Sequence, residues 1–417
     1  MLQKIRANQA LQNLLIYGFG QGFNLVTPLL VVPFVVAVCS EAGYGKISIA
    51  MALSFFLIVF VDYGSDIVGV KQAAVSRHDR DALEGIFVKT FWAKIALFGL
   101  VAGVGSLLFV TIPYFAAEKR LFFFSLAIVA GQAINPTWFL QGVEEFKWIT
   151  AINVISKTLF LVAVFAFVRA PGDYVLHNLF WGVGMCVAHG IATLFLVRRY
   201  RFSLANVTWS DVTLLIRGNF SIFTSQLFVS MQMYAPVMLI GFFGGNHMAG
   251  QYKIVDQVIV IFKTYILLFF NYAYPRVCYL LKSDVRHGLR FWRMYNGLNL
   301  VFVTVCMAVI FTFSDAVVGY FNPTDPVSIS ALLRLAVAIP VLQAIGVPLR
   351  QLVIGFNKQK QYVTLTMVST VASLLMIIAV APWLHITGVI ATLIATEILI
   401  IGLFYAAIKN ELFARSG

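Results

Sequence analysis

The feature that most constrains this chain is a succession of long apolar runs separated by short segments that carry charged residues. Each run approaches the roughly 20 residues that an α-helix needs to cross the hydrocarbon core of a bilayer. The runs lack the strict apolar–polar alternation of transmembrane β-strands. The sequence therefore predicts an all-α integral membrane protein with about twelve transmembrane helices, over residues 13–38, 45–68, 86–112, 120–142, 149–168, 176–197, 219–243, 250–274, 292–313, 328–354, 361–381 and 387–408.

Composition excludes a water-soluble globular protein. Hydrophobic residues make up 60% and charged residues 11% of the 417 positions, whereas soluble domains carry about 25% charged residues. The formal net charge is +13, but the basic residues form no dense tract, so nucleic acid is not an expected partner. The four cysteines are far apart and no His or Cys cluster has metal-ligand spacing. We therefore expect no metal site and no cofactor.

Lysine and arginine are distributed unevenly between alternate connections, which predicts how the chain is oriented in the membrane. Nineteen of them fall in one set of connections and the two termini, and four fall in the alternate set. Cytoplasmic loops of membrane proteins carry an excess of basic residues. Because the number of spans is even, both termini are predicted to be cytoplasmic.

Reporter fusions test this orientation. Paired alkaline phosphatase and fluorescent-protein fusions should report cytoplasm after Lys71, Arg201, Arg286 and Lys358, and periplasm near Asp173, His247 and Asp325. The expected cause is the basic asymmetry between the two sets of connections. Two or more reversed signals would contradict the twelve-span arrangement.

A weak internal repeat divides the chain into halves. Residues 42–47 (AGYGKI) open the second predicted span and residues 249–254 (AGQYKI) open the eighth, and the two hexapeptides start 207 residues apart. Six spans per half leave both copies in the same orientation. The repeat predicts two six-helix lobes, residues 1–200 and 219–417, with a cytoplasmic linker over 201–218. Transporters built from such repeats place the substrate site between the halves.

Charged residues inside predicted spans mark candidate sites, because a charge at mid-bilayer costs about 2.5–3.5 kcal/mol on insertion scales. In the eighth span, Lys253, Asp256 and Lys263 lie within about 80° of one another on a helix. Lys253 can pair with Asp256, whereas the positions three and four residues from Lys263 are apolar. We expect Lys263, with Lys253, to line a cavity and attract an anion. The alternative is an ion pair between Lys263 and a carboxylate on another helix, such as Glu397.

A polar stripe runs along the first span. Tyr17, Gln21 and Asn24 share one face with Pro28, within about 60°. Carboxamides and tyrosines both donate and accept hydrogen bonds, which suits the hydroxyl groups of a sugar. The alternative is hydrogen bonding between helices, which is common for Asn and Gln in membranes.

Four acids, Asp62, Asp66, Asp256 and Glu397, are candidates for a residue that couples transport to a proton or cation. For each of them a structural ion pair is the alternative. Burial raises the pKa of a carboxyl group, and a nearby lysine lowers it.

The remaining intramembrane polar residues have simpler interpretations. Lys89, Lys94 and Lys157 lie within about 12 Å of the predicted cytoplasmic ends of their spans by helix rise. We expect them to extend to the interface, as lysines near helix ends do; attraction of a diphosphate is the alternative. Gln132, Asn135 and Pro136 are expected to bend the fourth span.

Four short motifs follow one another along essentially the whole chain. They are Val61-Asp62-Tyr63-Gly64, Pro136-Thr137-Trp138-Phe139-Leu140-Gln141-Gly142 with Phe146-Lys147, Tyr274-Pro275-Arg276, and Gly355-Phe356-Asn357-Lys358. These motifs, in this order, resemble those of Wzx-type O-antigen flippases. After Asp62-Tyr63-Gly64 that family commonly has Phe or Leu, whereas this chain has Ser65-Asp66, so no local role is carried over there.

The resemblance implies the MATE-like fold of the multidrug/oligosaccharidyl-lipid/polysaccharide (MOP) exporters. It also implies a bacterial inner-membrane protein that carries an undecaprenyl-diphosphate-linked O-antigen or related repeat unit from the cytoplasmic to the periplasmic leaflet by alternating access. Expected partners are this lipid-linked oligosaccharide, membrane lipids, and the polysaccharide polymerase and chain-length regulator.

Two other functions stay open. A cation-coupled drug exporter of the same fold should offer acidic groups to its cargo, yet the deepest charge in the sequence is Lys263. A multispan enzyme of polysaccharide assembly needs a catalytic apparatus, often on a large external loop, but no predicted external loop exceeds about fourteen residues. We therefore expect a transporter with no catalytic residues. There is no nucleotide-binding P-loop, so ATP is not an expected direct energy source.

Overall fold

The computed structural model describes the backbone of residues 2–205, 207–356 and 358–414, and side chains from residue 22 to residue 411 apart from positions 206, 271, 275, 357, 359 and 410. These residues form helices and connections, without a strand. The helices are α1 (Leu2–Asp62), α2 (Ser65–Val75), α3 (Arg80–Thr111), α4 (Pro113–Ala116), α5 (Lys119–Ala133), α6 (Thr137–Gly142), α7 (Phe146–Phe167), α8 (Tyr174–Tyr200), α9 (Trp209–Ser283), α10 (Val285–Thr312), α11 (Ser314–Gly319), α12 (Pro326–Ala336), α13 (Ala338–Gly355) and α14 (Gln359–Ala414).

Within the described part of the chain, nine helical stretches are long and apolar enough to cross a membrane. Three of them contain a residue with non-helical backbone angles, namely Ser40 in α1, Gly245 in α9 and His385 in α14. Dividing α1, α9 and α14 at these residues gives twelve membrane-spanning segments. The predicted fold class, an all-α membrane protein with about twelve spans, is confirmed.

Three short helices, α2, α4 and α11, were not predicted from the sequence, and α2 is the longest of them. α1 ends at Asp62 and, after Tyr63 and Gly64 with positive φ (44° and 78°), the chain continues as α2. This helix occupies residues that the sequence analysis assigned to the end of the second span and the following loop. Its Gly69 packs against Trp138, where an added Cβ would collide with the indole ring.

The fourth span is bent where the sequence predicted it. α5 ends at Ala133, and α6 starts at Thr137 after the break at Ile134, Asn135 and Pro136. Asn135 Oδ1 accepts a hydrogen bond from the backbone N–H of Thr137 at 2.9 Å. This bond satisfies one of the donors left free at a helix start.

Backbone contacts divide the chain into two compact units, Met1–Tyr234 and Ala235–Gly417. The first unit has an apolar core that includes Leu83, Phe87, Phe139 and Leu196. A core of the second unit includes Val277, Leu352, Val353 and Phe404. The predicted lobes 1–200 and 219–417, with the linker 201–218, stay a prediction.

Residues just after α8 are held against α3 within the first unit. Trp92 Nε1 donates to the backbone oxygen of Leu204 at 2.8 Å, and Glu84 accepts from the backbone N–H of Ser203 at 2.8 Å. Lys89 then pairs with Asp211, in the first turn of α9, at 2.8 Å.

In the second unit, hydrogen bonds from the side chain and backbone N–H of Ser328 lower the pKa of Asp325, which caps α12.

Close packing of α5 on α8 depends on a glycine. A Cβ added at Gly182 would overlap the backbone of Ala127 and Ile128, whereas one added at Gly103 would meet nothing within 4 Å. We expect Gly182→Ala to lower the free energy of unfolding by about 1–3 kcal/mol, because the two helix backbones must move apart. Thermal unfolding of the purified protein in detergent measures this effect, with Gly103→Ala as the control. Equal melting temperatures for both variants would contradict the packing argument.

Candidate functional site

The first unit contains a polar cavity of about 370 Å³, lined by residues of α1, α5, α6, α7 and α8 and of the break between α5 and α6. Amide, hydroxyl, imidazole and ammonium groups share its wall with a few apolar and aromatic side chains. No carboxylate is among the described residues that line it. The lining residues are Asn24, Phe55, Gln132, Asn135, Thr137, Gln141, Ile149, Asn153, Ser156, Lys157, Trp181, Met185 and His189. Such a wall offers hydrogen-bond donors and acceptors and one positive charge, but no negative charge.

Lys157 is the only cation that lines this cavity among the described residues. Its Nζ atom lies 3.2 Å from the centroid of the Trp181 ring, a cation–π contact with the indole face. By helix rise, Lys157 is about 16 Å from the start of α7, near the middle of that helix. The expectation that Lys157 extends to the membrane interface is therefore wrong, because its side chain is directed to a cavity inside the unit.

A second inward-facing lysine lies next to this cavity. Lys94 on α3 is 2% exposed, and its Nζ atom lies 2.9 Å from Asp62 Oδ1. The expectation of an interfacial lysine is wrong here as well, since a buried ammonium needs a partner and Asp62 supplies it. Of the three lysines considered, Lys89 alone is half exposed, and it pairs with Asp211.

Asp62 connects this ion pair to the cavity wall. Gln132 Nε2 donates to Asp62 Oδ2 at 2.8 Å, and Asn135 Nδ2 donates to Gln132 Oε1 at 3.0 Å. Gln132 and Asn135 both line the cavity. Nearby, Asp66 accepts a hydrogen bond from Gln226 Nε2 at 3.0 Å.

His189 contributes a fixed ring to the same wall. It is 5% exposed, and its Nδ1 atom lies 2.6 Å from the backbone oxygen of Gly131. Because a carbonyl oxygen can only accept, Nδ1 carries the proton in this contact. In the neutral imidazole, Nε2 is then an acceptor.

The second unit holds the predicted Lys253–Asp256–Lys263 group. Lys253 Nζ lies 2.7 Å from Asp256 Oδ2, and Lys263 Nζ lies 3.6 Å from Asp256 Oδ1. The expectation that Lys263 lacks a carboxylate on its own helix is wrong. The two residues are seven positions apart, and a long lysine side chain spans the two turns that separate it from Asp256.

Among the described residues of the second unit, Glu397 forms no ion pair with Lys263; it accepts a hydrogen bond from Gln343 Nε2 at 2.8 Å. It is 6% exposed, and its second oxygen, Oε2, is buried without a hydrogen-bond partner. Gly346 on α13 lies beside that oxygen. Glu397 is thus a buried acid with one unused acceptor atom.

Of the three residues predicted to bind sugar on the first span, the structure describes the side chain of one. Asn24 lines the cavity of the first unit. Tyr17 and Gln21 lie outside the residues whose side chains are described. The sequence analysis did not select Asn153, Ser156 or Trp181 as binding residues, and it gave a contact between Lys157 and a diphosphate only as an alternative. A signal for three of them was present, because Asn153, Ser156 and Lys157 are spaced i, i+3 and i+4 and so share one face of a helix.

Comparison with known proteins gives the family and the fold. A sequence model described as polysaccharide biosynthesis protein matches residues 10–279. A relative from Escherichia coli strain K12, named "Putative O-antigen transporter", is 21% identical over 407 residues, which cover 96% of this chain and 97% of the relative.

Two solved structures share the fold. Lipid II flippase MurJ, in an inward closed conformation, aligns with a TM-score of 0.76 and 11% identity over 95% of this chain and 87% of its own. An inward-facing multidrug resistance MATE family transporter of the MOP superfamily aligns with a TM-score of 0.66 and 15% identity, over 94% of this chain and 99% of its own. The resemblance noted in the sequence is confirmed. The chain belongs to the polysaccharide biosynthesis protein family and has the fold of the MOP superfamily of transporters.

Proposed function

We propose that this protein flips an undecaprenyl-diphosphate-linked O-antigen or related polysaccharide repeat unit from the cytoplasmic to the periplasmic leaflet of the bacterial inner membrane. The movement takes place by alternating access and involves no enzymatic step. The single observation that carries the proposal is the cavity of the first unit, which combines many amide groups with one ammonium and no lining carboxylate.

The amide-rich wall suits the sugar part of the cargo. Asn24, Gln132, Asn135, Gln141 and Asn153 all line the cavity, and each carboxamide can donate and accept hydrogen bonds. Sugar hydroxyls require both kinds of partner when they leave water. Unpaired polar groups in such a site cost about 1–3 kcal/mol each, so a wall of this kind lowers the cost of moving a saccharide through the membrane.

Lys157 suits the diphosphate. A phosphate group that leaves water must exchange its hydration for opposite charge and fixed donors. The ammonium of Lys157 supplies both, and its present neighbour is the face of Trp181 at 3.2 Å. A cation–π contact is worth about 0.5–2 kcal/mol, so an anion can displace it at modest cost.

An exporter of cationic drugs fits this wall less well. Such cargo requires acidic groups, whereas the described residues that line the cavity include a lysine and no Asp or Glu. The names of similar proteins also favour a glycolipid cargo, since one relative is called an O-antigen transporter and one structure of the same fold is a lipid II flippase.

Further roles for charged residues outside the cavity wall are part of the same proposal. The group of Lys253, Asp256 and Lys263 has a net charge of +1 when all three are ionised, and we propose it as a second contact for the diphosphate. Asp62, Asp256 and Glu397 are the proposed coupling acids, with Glu397 the strongest of them because its Oε2 atom has no hydrogen-bond partner. Polysaccharide polymerase and chain-length regulator are the proposed protein partners.

Complementation tests the function. A strain that lacks its own flippase for a defined repeat unit should regain surface polysaccharide when it expresses this chain, as scored on gels and with a lectin on intact cells. Lipid-linked repeat unit that accumulates in the deletion strain should fall at the same time. If lipid-linked repeat units persist while resistance to cationic dyes rises, the drug-export alternative is correct and the proposed function is wrong.

A further inference from the structure

The first unit contains a second, larger cavity that shares no lining residue with the cavity proposed for the cargo. Its volume is about 850 Å³, a size typical of small-molecule sites. It lies between α2, the first part of α3 and the first part of α9. On α9 the lining residues recur at intervals of three and four, so they form one face of the helix. They are Asp211, Leu214, Leu215, Gly218 and Asn219.

Two glycines keep this cavity open. Gly85 on α3 and Gly218 on α9 both line it. A Cβ added at either position would meet no described atom within 4 Å. The two helix faces therefore leave a wide space between them at these positions, where larger side chains would otherwise extend into the cavity.

A buried amide in the cavity wall has no partner. Asn219 is 7% exposed and lines the cavity. Among the described residues its carboxamide forms no hydrogen bond, although it carries two N–H donors and an acceptor oxygen. Buried polar groups are generally hydrogen-bonded, and one without a partner destabilises the fold. A polar group of a ligand in the cavity would supply the missing bond.

The charged residues that line the cavity favour an anion. Lys71 on α2 is exposed, and among the described residues it forms no ion pair. Lys89 lies 2.8 Å from Asp211, so these two charges offset each other. With all three groups ionised, the lining of the cavity has a net charge of +1, and the ammonium of Lys71 is available to a ligand.

The cavity opens at the level of the membrane surface. Val75 and Leu214 line it and are both largely exposed. Large apolar side chains that are exposed together mark a surface that contacts lipid or a partner. The same parts of α3 and α9 carry the exposed residues Trp92 and Trp209, and tryptophan is enriched where the hydrocarbon core meets water. This end of the unit is the one predicted to be cytoplasmic.

We infer that the cavity binds an anionic glycerophospholipid, such as phosphatidylglycerol, from the leaflet at this end of the unit. In such a lipid the phosphate, the ester carbonyls and the acyl chains follow one another from the membrane surface inward. By helix rise, Lys71 lies about 6 Å from the end of α2 and Asn219 about 15 Å from the start of α9. Lys71 then contacts the phosphate, and the Asn219 amide donates to an ester carbonyl. Apolar side chains such as Ile86 and Leu214 cover the acyl chains.

A leucine at position 85 tests the location of the site. Gly85→Leu places a side chain in the open part of the cavity and should displace the lipid. Gly103→Leu is the matched control, because Gly103 lies on the same helix, outside the cavity, and also has no described atom within 4 Å of an added Cβ. Both variants replace a helical glycine with the same residue, so the change in helix propensity is shared.

A second pair of variants tests the charge. Lys71→Gln removes the unpaired cation of the cavity. Lys147→Gln is the control, since Lys147 is an exposed lysine of the same unit that does not line the cavity. Both variants lower the net charge of the protein by one, so they weaken general attraction to anionic lipid to the same extent.

Native mass spectrometry of the full-length protein in detergent measures the Kd of the first bound lipid. The probes are phosphatidylglycerol and phosphatidylcholine with identical acyl chains, and thermal unfolding verifies that each variant is folded. We expect the wild type to bind phosphatidylglycerol about fivefold more tightly, the effect of one lysine near an anionic lipid. Lys71→Gln should raise the Kd for phosphatidylglycerol about fivefold and change that for phosphatidylcholine less than twofold. Gly85→Leu should raise the Kd for phosphatidylglycerol about tenfold, and both controls should stay within twofold of the wild type.

Three results would overturn the inference. Equal wild-type Kd values for the two lipids would exclude a site for an anionic lipid. A folded Gly85→Leu protein with the wild-type Kd for phosphatidylglycerol would exclude this cavity as its location. Equal effects of Lys71→Gln and Lys147→Gln would show attraction by net charge alone, without a contact from Lys71. Because the site requires no particular cargo, each of these results leaves the proposed function unaffected.

Discussion

Replacing Lys157 with methionine is expected to reduce export of the repeat unit by about 10- to 100-fold while the protein stays folded. The loss corresponds to a hydrogen bond to a charged group, worth about 1.5–3 kcal/mol. Methionine has nearly the same length as lysine and can still pack on Trp181, so the cation–π contact is the only described interaction of Lys157 that is removed. The measurement is the initial rate of surface polysaccharide recovery after induced expression, normalised to protein in the membrane.

Two further variants make this result specific. Lys157→Arg keeps the charge but changes donor geometry, so it should retain part of the activity. Thr158, the next residue on α7, is exposed and lies outside the cavity; Thr158→Met should export at the wild-type rate. A fully active Lys157→Met protein would remove the cation from the proposed mechanism.

Replacing Asp256 with asparagine should chiefly lower the amount of folded protein. The Asp256 carboxylate forms ion pairs with two lysines: its Oδ2 lies 2.7 Å from Lys253 Nζ, and its Oδ1 lies 3.6 Å from Lys263 Nζ. Removing its charge leaves both ammonium groups in a membrane-spanning helix without their described carboxylate partner. Breaking a buried pair costs about 3–5 kcal/mol, and we expect a value near the lower end because Lys263 keeps 31% of its side chain exposed.

Fluorescence size-exclusion chromatography of tagged protein, with thermal unfolding, measures this loss. Lys263→Ala is the matched variant, since it leaves the pair of Lys253 and Asp256 intact. We expect that variant to accumulate normally and to lose export, which would assign Lys263 to the cargo. An Asp256→Asn protein as abundant and as stable as the wild type would refute the structural role of the carboxylate.

The positions of the membrane spans could be predicted because a segment that contacts lipid must consist mainly of apolar residues. Backbone groups that lie inside the bilayer must form helices, and the apolar runs of the sequence show which residues lie there. The breaks at Ser40, Gly245 and His385 fall between predicted spans. The short helix α2 was missed because it lies at the end of a span and carries charged residues, so hydropathy does not distinguish it from a loop.

The candidate site could be predicted less completely, because it depends on which helix faces meet. Asp62, Asn24 and the bend at Asn135 were selected from the sequence, but the partner of Asp62 is Lys94, 32 positions away on α3. The pairing of Lys263 with Asp256 was missed for another reason. Rules for helical neighbours consider residues three and four apart, whereas these two side chains meet across seven positions.

The breaks at Ser40 and Gly245 have a consequence for the history of the gene. Ser40 has φ 67° and ψ 168°, and Gly245 has φ 83° and ψ 174°, so the two residues share one unusual backbone conformation. They precede the repeated hexapeptides that begin at Ala42 and Ala249. Only glycine adopts this conformation freely, and other residues pay about 1–3 kcal/mol for it. The joint lies two residues before the first hexapeptide and four before the second, and its cost falls on Ser40 alone because Gly245 adopts the conformation freely. A joint of one conformation at similar places in both halves is what duplication of an ancestral helix–joint–helix unit predicts.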